Sequence, residues 1–154
     1  MKLFGSFCIA FSMYSRIPVP QVEWKEEHMR YCMCFFPVIG IVLGGMLYVL
    51  AILGIRAGIT PGFLAALLTV LPVLVTGGIH LDGYLDTSDA RASYGDREKK
   101  LAILKDSHVG AFAVIACAVY FILTYGSWQG LLEGLSGRGD RERILGALAV
   151  CPML

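Results

Sequence analysis

Charged side chains are scarce in this chain: Asp, Glu, Lys and Arg make up 16% of its 154 residues, where about 25% is usual for a soluble domain. Three windows, 31–55, 57–79 and 109–132, hold none at all. That gap excludes a disordered chain, a solvated binding module and a bundle of charged helices. The windows are 23 to 25 residues long, and about 20 apolar residues at 1.5 Å each cross the roughly 30 Å core of a bilayer. Alternating strands of the kind that build membrane barrels are also missing. The remaining fold class is all-α, a polytopic integral membrane helical bundle forming a single membrane domain over 1–154.

Other absences narrow the function. Net charge is only +1, so no nucleic acid partner is expected. The five cysteines, at 8, 32, 34, 117 and 151, include no CxxC pair and read as small buried hydrophobes, not as metal ligands or disulfides.

Along the chain, residues 3–15 are apolar but too short to span, and predict an interfacial or re-entrant helix. Pro18 and Pro20 break the chain before the first full span at 31–55, where Gly40 and Gly44 share a helix face and permit close approach of a neighbour. A short connection ending at Pro61 predicts a helical hairpin with a second span at about 61–79. A third full span follows at about 109–132, and a truncated fourth apolar run begins at Ile144. Basic residues number four in 1–30, one in the first loop and five in 80–108, which places 80–108 on the cytoplasmic side. Three more in 133–143 count against that orientation.

The polar chemistry is concentrated in 77–110. On a regular helix Asp82, Asp86 and Asp89 fall within an arc of roughly 60°. Three carboxylates crowded on one face beside an apolar span call for a hard cation, Mg²⁺ or Mn²⁺. The alternative is an ordinary solvated helix whose acids pair with Arg91 or Arg97. Asp106 either returns its carboxylate to that cluster or, like Ser107, caps the third span. Ser93 and Asp96 resemble a capping box for a helix over 96–105. His80 lies on the opposite side of the wheel from Asp82, where a substrate contact or a plain interfacial role both fit. Arg91, Arg97 and Lys105 are candidates for binding phosphate oxygens, although lipid headgroups would suit them as well.

Metal-bound carboxylates beside basic groups suit attack on the phosphorus of a diphosphate, with an Asp taking the proton from the attacking hydroxyl. The same parts would serve a membrane prenyltransferase or a small cation transporter. A prenyltransferase would need a second acid-rich motif, and a transporter would place its acids near mid-bilayer within broken helices.

The segments GGIHLDGYLDTSDA and GDREKKLAILKDSHVG, with FSMYSRIPVP near the start and FFPVIGIVLG at 35–44, resemble the cobalamin synthase family, adenosylcobinamide-GDP ribazoletransferases. The resemblance implies a membrane phosphotransferase of the prokaryotic plasma (inner) membrane, related in chemistry to CDP-alcohol phosphotransferases and dependent on Mg²⁺. It also implies adenosylcobinamide-GDP and α-ribazole, or α-ribazole 5′-phosphate, as substrates. GMP would leave and adenosylcobalamin or its 5′-phosphate would form. By position it implies Asp82, Asp86 and Asp106 as metal ligands and Asp89 as a ligand or the general base. Ser107 and Gly110 match the family's downstream segment, and Ser107 joins His80, Arg91, Arg97 and Lys105, named above from the pattern, as a candidate for substrate binding. Whether protomers associate as a homo-oligomer is left open. Ala90 stands where the family usually has glycine. The family's chains are longer, so 1–154 is expected to be its N-terminal portion.

Overall fold

The structure, a computed structural model, describes residues 2–106 and 108–134. The run begun at Ile144, most of the 133–143 loop, Cys151 and Ser107 lie outside the described residues. Those described form helices α1 (Lys2–Tyr14), α2 (Glu26–Met29), α3 (Phe36–Arg56), α4 (Pro61–Thr76), α5 (Ile79–Ala92), α6 (Arg97–Ile103) and α7 (Ala111–Gly134). A 3₁₀ turn, Cys32–Phe35, leads into α3, and no strand occurs among the described residues. The all-helical reading therefore stands.

Helix α1 buries Ser6, Cys8, Ile9, Ala10 and Phe11, the last three against Cys32 and Ile39. Its approach to α2 is close: a Cβ on Gly5 would meet the His28 ring at 2.9 Å, and Ser6 Oγ donates to the His28 carbonyl at 2.7 Å. After Tyr14 the helix stops ahead of the two prolines, which cannot continue it.

Helix α3 buries Ile39, Gly40, Leu43, Gly44, Leu47, Ala51 and Gly54, a stripe at three- and four-residue spacing with both predicted glycines on it. The helix ends in a Schellman turn. Gly58 takes φ +70°, its N–H reaches the Ile55 carbonyl at 3.2 Å, and the Ile59 N–H reaches that of Gly54 at 3.0 Å, satisfying carbonyls that the helix leaves free. Pro61 then opens α4 at a position needing no N–H. Leu64, Ala65 and Leu68 of α4 pack on Leu43, Leu47 and Ala51, joined by Leu132 of α7. Gly54 supplies the dent for Leu64, since a Cβ there would sit 2.5 Å from its Cδ1. Between apolar helices in lipid, such close contact is what drives association. The predicted hairpin is present.

The second span differs from expectation. At 16 residues α4 rises about 24 Å, short of a roughly 30 Å core, and the chain then turns by 93° into α5. Among the described residues two helices are long and apolar enough to cross a membrane, and a third only if the bent α4–α5 pair is counted as one span. The bend lies at Gly77 and Gly78, with φ +69° and +81°, a left-handed geometry that any side chain would strain. Two features bend the end of α4: Pro72 removes a bond to the carbonyl one turn back, and Thr76 Oγ1 back-bonds to the Pro72 carbonyl at 2.8 Å. The acids therefore do not extend the second span along its axis; they occupy a separate helix crossing its end.

Candidate active site

Helix α5 carries Asp82, Asp86 and Asp89 on one side, as the periodicity predicts, because Ile79–Ala92 is regular. Their surroundings differ. Asp82 is exposed and Asp86 half-buried, and neither side chain makes a hydrogen bond or ion pair with a described residue. The anticipated pairing with Arg91 or Arg97 is absent among the described residues. Asp82 also lines an open hollow of about 540 Å³ together with Gly77, Gly78, Ile79, Leu81 and Leu85.

Asp89 is engaged elsewhere. Its Oδ2 accepts the Gly110 N–H at 2.7 Å and its Oδ1 accepts the Ala113 N–H at 2.9 Å. Helix α7 begins at Ala111, so one carboxylate from 21 residues upstream satisfies two free amides at its start and sets a negative charge at the positive end of the dipole. Gly110 makes room, since a Cβ there would lie 2.5–2.7 Å from the Asp89 carboxylate atoms. Tyr84, 6.4 Å from Tyr120 between ring centroids, gives a second link between α5 and α7. Ala90 is buried, and its methyl group fits where a glycine was anticipated.

Asp106 neither caps α7 nor meets the α5 acids. Its Oδ1 accepts from the His108 backbone N–H at 3.0 Å and from His108 Nδ1 at 2.6 Å. The side-chain bond from His108, helped by the backbone one, holds the Asp106 carboxyl below its ordinary value. The Asp106 carboxylate in turn raises the His108 imidazole. Among the described residues no three His, Cys, Asp or Glu side chains gather in a group able to hold a metal ion, because Asp89 turns to α7 and Asp106 to its own loop.

His80 faces away from the acids, as the wheel requires. Its ring stacks on Tyr14 at 5.9 Å and meets the edge of Phe36 at 5.5 Å, so three helices join at this aromatic cluster. Arg91, Arg97 and Lys105 are exposed. Asp96 alone caps α6, accepting the Lys99 N–H at 3.0 Å. Ser93 closes α5 instead, its Oγ donating to the Ala90 carbonyl at 2.9 Å, so the two do not form one capping box.

Sequence reasoning missed two features. The His108 ring could have been suspected from D-x-H in the loop. Arg16 could not, since its N–H donates to the Val75 carbonyl at 2.7 Å and its side chain lies across Gly77, a contact that no local pattern announces.

No solved structure matches the chain. Curated adenosylcobinamide-GDP ribazoletransferases do: that of Lachnoclostridium phytofermentans is 52% identical over 126 residues, covering 82% of this chain and 48% of the relative. The Clostridium botulinum (strain Eklund 17B) protein is 37% identical over 132 residues, 86% of this chain and 52% of the relative. The one from Halalkalibacterium halodurans is 45% identical over 108 residues, 70% and 41% of the two chains. The chain thus spans about half the length of the curated relatives it matches. A family model described as cobalamin-5-phosphate synthase matches residues 6–154, nearly the whole sequence, and the chain belongs to that family.

Proposed function

We propose that the chain carries the acidic half of an adenosylcobinamide-GDP ribazoletransferase, in which a hydroxyl of α-ribazole or its 5′-phosphate attacks the phosphorus bonded to cobinamide and GMP leaves. The observation that carries this reading is the pair of unpartnered carboxylates, Asp82 and Asp86, on a helix turned across the end of a membrane hairpin, in a chain of this family. Mg²⁺ keeps several waters and is commonly held by one or two carboxylates plus substrate phosphates. Two free aspartates four residues apart therefore fit it, and they are the residues that would hold it. When bound, it would neutralise charge on the diphosphate.

The chain's own residues then divide the work. Asp82, beside the open hollow, and Asp86, one turn on, would hold the ion near the diphosphate end of the substrate. Asp89 has both oxygens occupied by α7 amides, so its first task is to lock α5 against α7 and fix the direction in which the other two acids face. Accepting a hydroxyl proton remains open to its spare lone pairs. His108, with Nδ1 bonded to Asp106, presents Nε2 outward. Exposed Arg91, Arg97 and Lys105 offer charge to phosphate oxygens on the same side of the bundle. The basic residues of 1–30 and 80–108 favour the cytoplasmic face of a prokaryotic plasma membrane for that side.

The test is to reconstitute the chain in lipid and supply adenosylcobinamide-GDP and α-ribazole, with and without Mg²⁺. Cobalamin product with stoichiometric GMP, only when Mg²⁺ is present, supports the reading. GMP release without cobalamin product points to hydrolysis and overturns it.

A further inference from the structure

The family resemblance includes FSMYSRIPVP, yet the reaction reading gives that segment no task. We propose that Arg16 is a phosphate-binding residue of the acidic site, gripping the diphosphate of the substrate from the side opposite Asp82. The proposal rests on the phosphotransferase reading for the substrate, and on the following geometry for the site.

Arg16 is fixed at its backbone, its N–H bonded to the Val75 carbonyl at 2.7 Å near the end of α4. From there its stem crosses the helix break. A Cβ on Gly77 would lie 2.8 Å from Arg16 Nε and 3.2 Å from Cγ. Gly77 is thus glycine for two independent reasons, its φ of +69° and the room it leaves for the arginine. Gly77 and Gly78 form a wall of the hollow that holds Asp82. On its other side Arg16 lines a second cavity of about 290 Å³ with Ser12, Ser15, Gln21 and Trp24. Arg16 is exposed and lines the second of these spaces and not the first, but its Nε lies against the Gly77 that walls the first.

No described carboxylate comes within 4.0 Å of this arginine. An exposed arginine held at its backbone beside the helix break, with its fork open to solvent, is accessible to an anionic ligand. Its fork of N–H donors matches phosphoryl oxygens in two-point fashion. A diphosphate at the Gly77–Gly78 wall would have Asp82, which would hold a cation, on one side and the guanidinium on the other, so that its charge is met from both. The same oxygens occur on anionic lipid headgroups, and the experiment must separate the two sources.

The chain in neutral-lipid nanodiscs is titrated calorimetrically with inorganic diphosphate, as wild type and as Arg16→Gln, Arg16→Lys and Arg56→Gln. Arg16→Gln is expected to weaken binding by at least about tenfold, the loss of one charge-assisted hydrogen bond. Arg16→Lys recovers part of the loss, and Arg56→Gln binds as wild type. Unchanged affinity in Arg16→Gln overturns the proposal, as does absence of diphosphate binding by the wild type. A lipid-held arginine would show as loss of bound phosphatidylglycerol in Arg16→Gln with diphosphate affinity unchanged, which also overturns it. Should Arg16→Gln not fold, Arg16→Lys carries the test, and wild-type affinity in that variant refutes the assignment. In turnover, Arg16→Gln raises KM for adenosylcobinamide-GDP more than it lowers kcat. If diphosphate binds through Arg16 but no cobalamin forms, the site stands and the reaction reading falls. If wild type turns over and Arg16→Gln keeps its KM, the reading stands and the assignment falls.

Discussion

The contact between Asp89 and the start of α7 gives the sharpest quantitative expectation. Replacing Asp89 with Asn keeps the shape of the side chain but leaves one acceptor oxygen where two amides need one each, and it turns an NH₂ group toward the other amide. Losing a hydrogen bond to a charged group costs about 1.5–3 kcal/mol. The missing negative charge at the helix start adds about 0.3–1 kcal/mol. Because Asp89 is half-buried, the sum is expected near 2–4 kcal/mol, the upper figure applying only if water stays out. Gly110→Ala attacks the same contact from the other side, since its Cβ would fall 2.5–2.7 Å from three atoms of the carboxylate. The two changes break one interaction, so their combination should cost little more than either alone, a coupling of about 1–3 kcal/mol in a double-mutant cycle. Unfolding in mixed detergent micelles gives the free energies, and amide exchange at Gly110 and Ala113 reports the bonds themselves. An Asp89→Asn chain within about 0.5 kcal/mol of wild type, with both amides still protected, would refute the argument that this carboxylate docks α7.

Asp82→Asn should abolish Mg²⁺-dependent product formation while the chain still inserts in the membrane, and full activity in that variant would sink the ligand assignment. Gly54→Leu should weaken the α3–α4 hairpin by about 1–3 kcal/mol through overpacking against Leu64, read by SDS titration; wild-type stability there would deny that the dent matters. The Asp106–His108 contact should order its loop between pH 3.8 and 6.5, the ordinary values of the two groups. Asp106 contributes above its ordinary value and loses the contact as pH falls through its lowered one; His108 contributes below its ordinary value and loses it as pH rises through its raised one. Amide exchange of His108 followed against pH should be slowest inside that window, and a flat profile would contradict the pairing.

Much of the acidic site was legible in the sequence, though not its partners. Asp82, Asp86 and Asp89 share a side of α5 because helical periodicity is local. The same reasoning assumed that the helix continued from the second span, and it does not. Adjacent glycines at 77 and 78 mark a break in any reading of turn residues, yet the 93° angle is not encoded in that local pattern. Asp106 fits either a cap of the third span or, by the family resemblance, the acid cluster, and it joins neither. A histidine two residues away claimed it first, since a contact within the loop requires no other element to be ordered.

What the sequence by itself determined was the membrane class, the presence of the apolar helices, the hairpin at Pro61 and the grouping of acids on one face. These follow from solvation and from periods of a few residues, which act wherever the chain goes. Only the tertiary structure decided which acid serves which neighbour. Asp89 is committed to amides 21 and 24 residues away, His80 to rings of α1 and α3, and Arg16 to a glycine 61 positions on. Each is a long-range contact whose partner becomes available only once the helices have packed, and no local pattern encodes it.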